Sequence, residues 1–459
     1  MPSTTRRQFL RGTVQAASGL AAARAFAPLP GERPAQASTV EVLNPRMRVP
    51  VSLIIDDSTC LVNLNRFAIP QFAAGQHYRG YFQDWRSMPP EIPDEFVRRF
   101  AEWCAAHGVK GKYSVAPFPA CVGRLDRELP GWTSVELRDS IRLVRELITP
   151  NWDIHPEMVT HTRVIDIKTG HPYPYFGPEW IENWEWTTGR STDEIAAYMR
   201  YALGILRNIE LPCEGITTPG GFGQRALPEL AQATLEACRD VCGAEIPHYF
   251  RHLFSEGEDS VAPRVEYASG LDGGDPRCVV SIIGCTGDWT GNWDCSRTPE
   301  PDRFITPELA GGRLVEVIGR GEPACLVCHW TGIHYNGREL GFQAFQEVVR
   351  RLHERYDNLI WMKLSEISRY WAARELTAIE AVEGGVRFRA PFACPAFTVR
   401  VGGPVSGAPA LTLRGKRSGL TETAEPARLQ AGGWMRDGDG AVACFDLPRG
   451  ESLLAFGAA

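Results

Sequence analysis

The 459-residue sequence predicts an α/β protein, with a (β/α) barrel followed by a small all-β C-terminal domain. Short apolar runs alternate with amphipathic helical segments between residues 50 and 375, and repeated βα units of this kind favour a parallel sheet closed into a barrel. Beyond residue 376 the pattern changes to short runs separated by Gly and Pro, which is typical of a β-sandwich. With 44% hydrophobic and 10% aromatic residues, the chain is globular and can bury a large core.

The first half of the chain supplies four predicted βα units. The run 50–55 indicates a buried strand that ends at Asp56 and Asp57, and the segment 93–107 indicates a helix that begins at a Pro and ends at Gly108. The predicted elements, in order, are strand 50–55, helix 93–107, strand 112–116, helix 134–148, strand 152–155, helix 192–208, strand 215–218 and helix 227–242.

The second half continues this alternation and then loses it. Later strands are predicted at 279–283, 326–329 and 359–362, with helices near 340–355 and 364–374, and the C-terminal runs are 386–389, 397–401 and 411–413. The predicted domains are therefore an N-terminal signal at 1–37, a barrel at 48–375 and a β-sandwich-like domain at 376–459.

The first 37 residues resemble a twin-arginine export signal. Residues Thr5 to Arg11 read Thr-Arg-Arg-Gln-Phe-Leu-Arg, an uncharged Ala-rich stretch follows, and Ala35-Gln36-Ala37 offers a cleavage site of small residues. That stretch is too short to cross a bilayer of about 30 Å, and no later segment is long and apolar enough. We therefore expect the twin-arginine machinery to export the protein to the periplasm or beyond, with no integral membrane segment in the mature form.

The charge of the chain limits the partners that it can bind, and its cysteine content indicates whether disulfide bonds are expected. The chain has 49 Lys+Arg against 55 Asp+Glu, and a net charge of −6 excludes nucleic acids and anionic membrane surfaces as expected partners. Its 13 Cys residues show no tight framework, so most are expected to be buried thiols. A bridge from Cys295 to either Cys278 or Cys285 remains open.

Two polar motifs follow predicted strands, where the reactive side chains of a (β/α) barrel lie. Asp56 and Asp57 come directly after the first strand, although such a pair can also cap a turn. The segment 153–161 places His155, Glu157 and His161 within seven residues, and the i, i+4 spacing of the last two lets them converge on one ion. A cluster of this composition favours a metal site over a purely structural role.

Two weaker motifs follow later strands. The strand 215–218 leads into the Gly-rich turn 219–223, which could bind an anion but is also typical of a plain tight turn. The run Leu326-Val327-Cys328-His329 ends an apolar strand with an imidazole, which could be catalytic or a hydrogen-bonded core residue.

The order and strand positions of these four motifs resemble the polysaccharide deacetylases, carbohydrate esterases that share a nodulation-type chitooligosaccharide deacetylase domain. The resemblance covers roughly residues 48–375 and implies a distorted seven-stranded (β/α) barrel. It also implies metal-dependent hydrolysis of an N- or O-acylated carbohydrate. In the roles that it implies, Asp56 is the catalytic base, Asp57 is a metal ligand and His329 is the general acid.

Two of the motifs depart from the family pattern. The family places two metal-binding His residues four positions apart, and that spacing falls on Glu157 and His161, with His155 as an alternative to Glu157. The third family motif, Arg-x-Pro, is matched only by Thr217-Thr218-Pro219, which makes Thr217 and Pro219 candidate substrate-binding residues. The Arg that orients the catalytic base in the family is absent.

The implied cofactor is a divalent metal ion. Oxygen and nitrogen ligands suit zinc first and also accept cobalt, manganese or nickel. An ion with an open coordination position lowers the pKa of water and polarises a carbonyl oxygen, as deacylation requires.

The segment 288–294, Asp-Trp-Thr-Gly-Asn-Trp-Asp, suggests contact with sugar rings. Aromatic faces beside amides and carboxylates suit stacking on a sugar, so Trp289 and Trp293 are candidate substrate-binding residues. Packing of these rings beneath a loop is an equally good interpretation.

Two alternative functions remain open. A metal-independent glycoside hydrolase would use Asp56 or Asp57 with Glu157 as its carboxylate pair. A pseudo-deacetylase without activity would bind glycans through its aromatic loops and its β domain. Bound metal in the purified protein distinguishes the deacetylase hypothesis from both.

Overall fold

The structure is a computed structural model that describes residues 31–75, 84–405, 407–413 and 415–456. Residues 1–30 of the predicted export signal lie outside this range. The predicted cleavage site lies inside it, where Gln36 bridges to Ile379 and the Ala37 amide donates to the Ile379 carbonyl at 2.8 Å. Among the described residues, no helix has the length and apolar character needed to cross a membrane.

The described chain is a mixed α/β protein. Its strands are β1 Val40–Val42, β2 Val49–Asp56, β3 Gly111–Ser114, β4 Trp152–His155, β5 Ile165–Asp166, β6 His171–Pro172, β7 Gly215–Thr217, β8 His248–Leu253, β9 Arg264–Ser269, β10 Arg277–Gly284, β11 Ala324–His329, β12 Leu359–Trp361, β13 Ala378–Val382, β14 Gly385–Ala390, β15 Cys394–Val401, β16 Ala410–Leu413, β17 Lys416–Gly419, β18 Thr421–Glu422, β19 Gly433–Asp437, β20 Gly440–Leu447 and β21 Gly450–Ala455.

The helices lie between the strands of the first 376 residues. They are α1 Leu64–Gly75, α2 Asp94–Ala106, α3 Ser134–Leu143, α4 Thr192–Asn208, α5 Leu227–Cys242, α6 Pro301–Phe304, α7 Arg313–Gly319, α8 Trp330–His334, α9 Leu340–Arg355 and α10 Leu364–Leu376. A π-helical segment, Val144–Ile148, continues α3. Capping boxes begin α3 at Thr133 and α4 at Ser191. In each, the hydroxyl of the cap residue accepts the backbone amide of a Glu three residues later, and the carboxylate of that Glu accepts the backbone amide of the cap residue.

Two sheets of largely parallel strands position the polar motifs. The first sheet has the order β11-β2-β3-β4, with β12 also on β2, and the second has the order β7-β8-β10-β9, in which only β9 is antiparallel. Backbone hydrogen bonds join the sheets at two places, from Thr217 of β7 to Pro156 after β4 at 3.1 Å and from Cys285 after β10 to Cys325 of β11 at 2.8 Å. Every residue of β2 is buried, as expected for a parallel strand covered on both faces.

The C-terminal segment forms two further sheets with five strands each. Their orders are β1-β15-β20-β19-β18 and β13-β14-β21-β16-β17. Phe388, Phe397 and Phe445 pack together between them, and the Tyr370 ring of α10 lies 6.1 Å from Phe397. The strand β1, which precedes the parallel strands in sequence, pairs with β15, so the N-terminal residues also contribute to this β region.

Candidate active site

A pocket of about 520 Å³ opens where the parallel strands end. Its walls come from segments that are far apart in sequence, because parallel strands bring their carboxyl ends to the same side. The lining residues are Asp56, Asp57, Phe72, Glu157, His161, Asn183, Thr218, Gly220, Asn292, Trp293, Asp294, Ser296 and His329.

Three of the predicted metal ligands converge at the base of this pocket. Asp57, Glu157 and His161 are buried, and each offers a ligand atom within 4.8 Å of the other two. The His161 Nε2 atom lies 3.2 Å from Asp57 Oδ1, and its Nδ1 atom lies 3.5 Å from Glu157 Oε1. The other Glu157 oxygen, Oε2, accepts the Asp57 amide at 2.8 Å, so it fixes the two segments against each other.

The donor set fits a divalent cation. Asp57 Oδ1 and His161 Nδ1 are buried, and their close contacts with His161 Nε2 and Glu157 Oε1 lack hydrogen-bond geometry, an arrangement that is costly unless a ligand satisfies them. Burial, together with the nearby Asp56 carboxylate, raises the pKa of Glu157 to about 7. A cation would relieve this crowding of carboxylates, since opposite charge favours their ionised form.

A buried network holds His161 in place. The Glu182 carboxylate accepts the backbone amides of Thr160 at 3.0 Å and His161 at 2.7 Å, and the Tyr198 hydroxyl donates to the same carboxylate. The side-chain amide of Asn183 lies 3.0 Å from His161 Nε2. The Asn183 Nδ2 atom is the one that faces this nitrogen, and the contact helps to hold the ring in place.

Asp56 forms a buried ion pair with Lys112 of β3. The lysine is fully buried, and its ammonium donates to Asp56 Oδ1, to the Ile55 carbonyl at 2.8 Å and to Ser114 Oγ at 2.8 Å. All three ammonium protons therefore have acceptors, which such a buried charge requires. Lys112 thus holds the predicted catalytic base in place.

His329 ends β11, in register with Asp56 of the neighbouring strand β2, and is paired with Asp288. The Asp288 Oδ2 atom lies 2.9 Å from His329 Nδ1 and fixes the orientation of the ring. Burial alone would lower the pKa of His329, but the carboxylates of Asp57, Asp288 and Asp56 outweigh it and raise the pKa to about 10. The imidazole is therefore suited to carry a proton at neutral pH.

His155 does not join Asp57 and His161. It points into the space between the two parallel sheets, where its Nε2 atom lies 2.9 Å from His248 Nε2. Thr217 lies beside it, with its hydroxyl 3.3 Å from His155 Nδ1, so this predicted substrate-binding residue is also buried beneath the pocket.

The other predicted substrate-binding residues divide between the pocket and the core. Trp293 lines the pocket, whereas Trp289 packs against Phe304 at 4.9 Å with the Arg303 guanidinium over its ring. Around Pro219, it is the neighbouring residues Thr218 and Gly220 that contribute to the lining.

Several residues of the site were not predicted. A charged Lys112 within a predicted buried strand was a usable signal, because lysine is almost never fully buried unless it is paired. Asp288 begins the Trp-containing segment and could have been proposed as a partner of His329. Glu182 and Asn183 lie in a long loop without regular pattern, and no local signal marks them.

No known protein-family model matches the chain, and no similar sequence was found among curated proteins. Among solved structures, the chain is similar to a protein named "probable polysaccharide deacetylase" from Pseudomonas aeruginosa PAO1, with a TM-score of 0.37 and 11% identity over 71% of this chain and 91% of that one. It is also similar to a candidate glycoside hydrolase/deacetylase from Parabacteroides distasonis, with a TM-score of 0.39 and 11% identity over 78% of this chain and 82% of that one. Since both TM-scores are low, function has to be inferred from the site itself.

Proposed function

We propose that this protein is a metal-dependent hydrolase that removes an acyl group from an N- or O-acylated carbohydrate. One observation carries the proposal: Asp57, Glu157 and His161 converge, with unpartnered buried ligand atoms on Asp57 and His161, in a pocket that the Asp56 carboxylate and the His329 imidazole also line. A carboxylate that can act as a base and an imidazole that can act as an acid beside a metal centre form the arrangement that hydrolytic acyl transfer needs.

The metal ion would be held by Asp57, Glu157 and His161. Zinc is the first expectation for this ligand set, and cobalt, manganese or nickel also fit it. When bound, the ion would polarise the acyl carbonyl and promote ionisation of a water molecule.

The residues Asp56 and His329 would move the protons. Asp56, held by Lys112, accepts the proton of the attacking water, whose hydroxyl joins the acyl carbon. His329, held by Asp288, donates a proton to the departing nitrogen or oxygen as its bond to the acyl carbon breaks. The products are a carboxylic acid and a free amine or hydroxyl group on the sugar.

The pocket chemistry supports a carbohydrate substrate. The segment 292–296 lines the pocket with Asn292, Trp293, Asp294 and Ser296, which combine an aromatic face with polar groups for sugar hydroxyls. Trp293 is the best candidate for stacking on a sugar ring.

We also propose that strands β2, β3, β4, β7, β8, β10 and β11 act as one distorted seven-stranded barrel and that residues 376–459, together with strand β1, form a β domain. The two backbone hydrogen bonds between the parallel sheets support the first statement, and the two five-stranded sheets support the second. Export of the protein by the twin-arginine pathway remains a proposal from the sequence of residues 1–37.

The test is acyl release from a panel of N- and O-acylated glycans, measured after chelator treatment and after addition of zinc, cobalt, manganese or nickel. We expect release that depends on added metal and falls by at least about 100-fold in Asp56→Asn and in His329→Ala, consistent with loss of general base or acid catalysis. Both variants should retain their metal ion, because neither residue is a proposed ligand. His353→Ala, outside the pocket, serves as the control.

Three results would contradict the proposal. Acyl release that is unchanged in both variants would show that the base and the acid are assigned incorrectly. Cleavage of glycosidic bonds without metal would favour the carboxylate-pair mechanism. Glycan binding without acyl release under any metal condition would favour a binding protein.

A further inference from the structure

A second cluster of potential metal ligands lies between the two parallel sheets, beneath the pocket. It consists of Asp153 and His155 on β4 and His248 on β8. Both His side chains are fully buried, with their Nε2 atoms 2.9 Å apart, and the Asp153 Oδ2 atom lies 3.9 Å from His248 Nε2. None of these residues belongs to the Asp57–Glu157–His161 group.

The surroundings orient each of these side chains. His248 Nδ1 lies 3.5 Å from the Ile246 carbonyl oxygen, which can only accept a proton, so this contact favours a lone pair on Nε2. His155 Nδ1 lies 3.3 Å from Thr217 Oγ1, and the other ring nitrogen of His155, Nε2, faces His248. Metal-binding imidazoles are typically held in this way through their other nitrogen.

Asp153 is fixed by the first turn of α10. Its Oδ2 atom accepts the Ser365 amide at 2.6 Å, and its Oδ1 atom accepts the Ser365 hydroxyl at 2.8 Å. A carboxylate has enough lone pairs to keep both bonds and also bind an ion. Gly215 closes the other side, since a Cβ atom there would lie 2.7 Å from His155 Nε2.

We propose that Asp153, His155 and His248 bind a second divalent metal ion of the Zn²⁺ or Co²⁺ class. Ligands about 2.0–2.1 Å from a tetrahedral ion are about 3.3 Å apart, and the observed separations of 2.9 and 3.9 Å lie on either side of that value. The ion would join β4 of the first sheet to β8 of the second. Its role is therefore structural, and it does not depend on the function of the pocket above.

The alternative occupant of the gap between the imidazoles is a proton. In that case His155 Nε2–H donates to His248 Nε2, and the pair is an ordinary buried hydrogen bond. The two arrangements differ in metal content, which can be measured without any assay of activity.

The test uses the full chain, stripped with a chelator and titrated with Zn²⁺ and separately with Co²⁺, whose visible absorption reports tetrahedral coordination. We expect two ions per wild-type chain. His161→Ala and His248→Gln should each bind one ion and the double variant none, while His353→Gln should bind two as the matched control. Circular dichroism verifies that each variant is folded, and if His248→Gln fails to fold, the wild-type stoichiometry decides.

One ion per wild-type chain that is lost in His161→Ala and kept in His248→Gln would overturn this inference and leave the proposed function intact. One ion that is lost only in His248→Gln would support the second site and contradict the metal centre of the pocket. A wild-type chain that binds no ion would overturn both.

Discussion

Asp57 and His161 hold their positions through buried contacts, not through local backbone preference. Both have left-handed backbone conformations, with φ of 60° and 67°, which non-glycine residues adopt at a cost. The Glu157 carboxylate accepts the amide of Asp57, and the Glu182 carboxylate accepts the amide of His161. Two buried acids therefore stabilise the strained turns that bring the proposed ligands together.

The first prediction for individual residues concerns the affinity of the pocket for a metal ion. Asp57→Ala and His161→Ala should each weaken metal binding at the pocket by more than about 100-fold, because each removes one of three protein ligands and loss of an outer partner alone costs about 10–100-fold. Asn183→Ala removes only a partner of His161, so it should weaken metal binding by the smaller factor of about 10–100-fold. Zinc titration against a competing chelator measures all three. A folded Asp57→Ala protein with unchanged affinity at the pocket would refute the ligand assignment.

Lys112 holds Asp56 by a contact across strands. Its ammonium reaches Asp56 from β3, the neighbour of β2 in the sheet. Because the pair is buried, each charge depends on the other to offset its desolvation.

A second prediction follows for stability. Lys112→Met should lower the free energy of unfolding by about 3–5 kcal/mol, because it leaves Asp56 as an unpaired buried charge. The double variant Lys112→Met/Asp56→Asn should recover part of this loss, since the unpaired charge is gone. Urea unfolding of chelator-treated protein measures both.

The neighbouring Lys110 gives a matched control for this prediction. Its pair with Glu366, at 3.0 Å, is partly exposed to solvent, so Lys110→Met should cost less than about 1 kcal/mol. Equal losses for the two lysines would show that Lys112 is not a buried ion pair of the strength inferred.

At the scale of elements, strand β4 and the turn after it serve two different clusters. Asp153 and His155 are two residues apart and share one face of the strand, so both lie between the sheets. Glu157 and His161 follow the end of the strand, where the turn at Met158, with φ of 54°, directs them to the pocket. The end of a single strand therefore separates His155 from the ligands that it was expected to join.

Two glycines provide a prediction at this scale. A Cβ at Gly215 of β7 would lie 2.6 Å from the His248 carbonyl oxygen, so Gly215→Ala should destabilise the fold by about 1–3 kcal/mol through overpacking. Gly204, inside α4, has open space around its Cα. Gly204→Ala should therefore stabilise the fold by about 1 kcal/mol through helix propensity. Thermal unfolding compares the two, and a stable Gly215→Ala protein would show that the sheets are not packed as closely here.

At the scale of the whole molecule, the described structure holds thirteen free cysteines, and Cys295 forms no bridge with Cys278 or Cys285. Ten are buried, and the partly exposed ones are Cys121, Cys242 and Cys295. Burial raises the pKa of Cys121 and of Cys295 to about 12, which suppresses the reactive thiolate. The fold thus relies on core packing without covalent cross-links.

Thiol titration tests this feature. We expect native protein to expose at most three slowly reacting thiols to a disulfide reagent, and denatured protein to show all thirteen without prior reduction. A lower total after denaturation would reveal a disulfide. Protein purified under reducing conditions provides the reference value.

The sequence by itself determined the local elements and the ends of the strands. The predicted strand 152–155 and the helices 192–208 and 227–242 coincide with β4, α4 and α5, because apolar periodicity, capping residues and terminal glycines act over a few neighbouring positions. The same local signals placed Asp56, Asp57 and His329 at strand ends, where they line the pocket.

Only the tertiary structure decided which polar residues meet. Lys112 pairs with Asp56, Asp288 with His329, and His248 with His155, at separations of 56, 41 and 93 residues. These contacts depend on the order of strands in the sheets and on which face each side chain occupies, and neither is encoded in a short window of sequence. The second cluster could therefore not be predicted, since the strand that carries His248 had itself not been recognised and its partner was expected at another site.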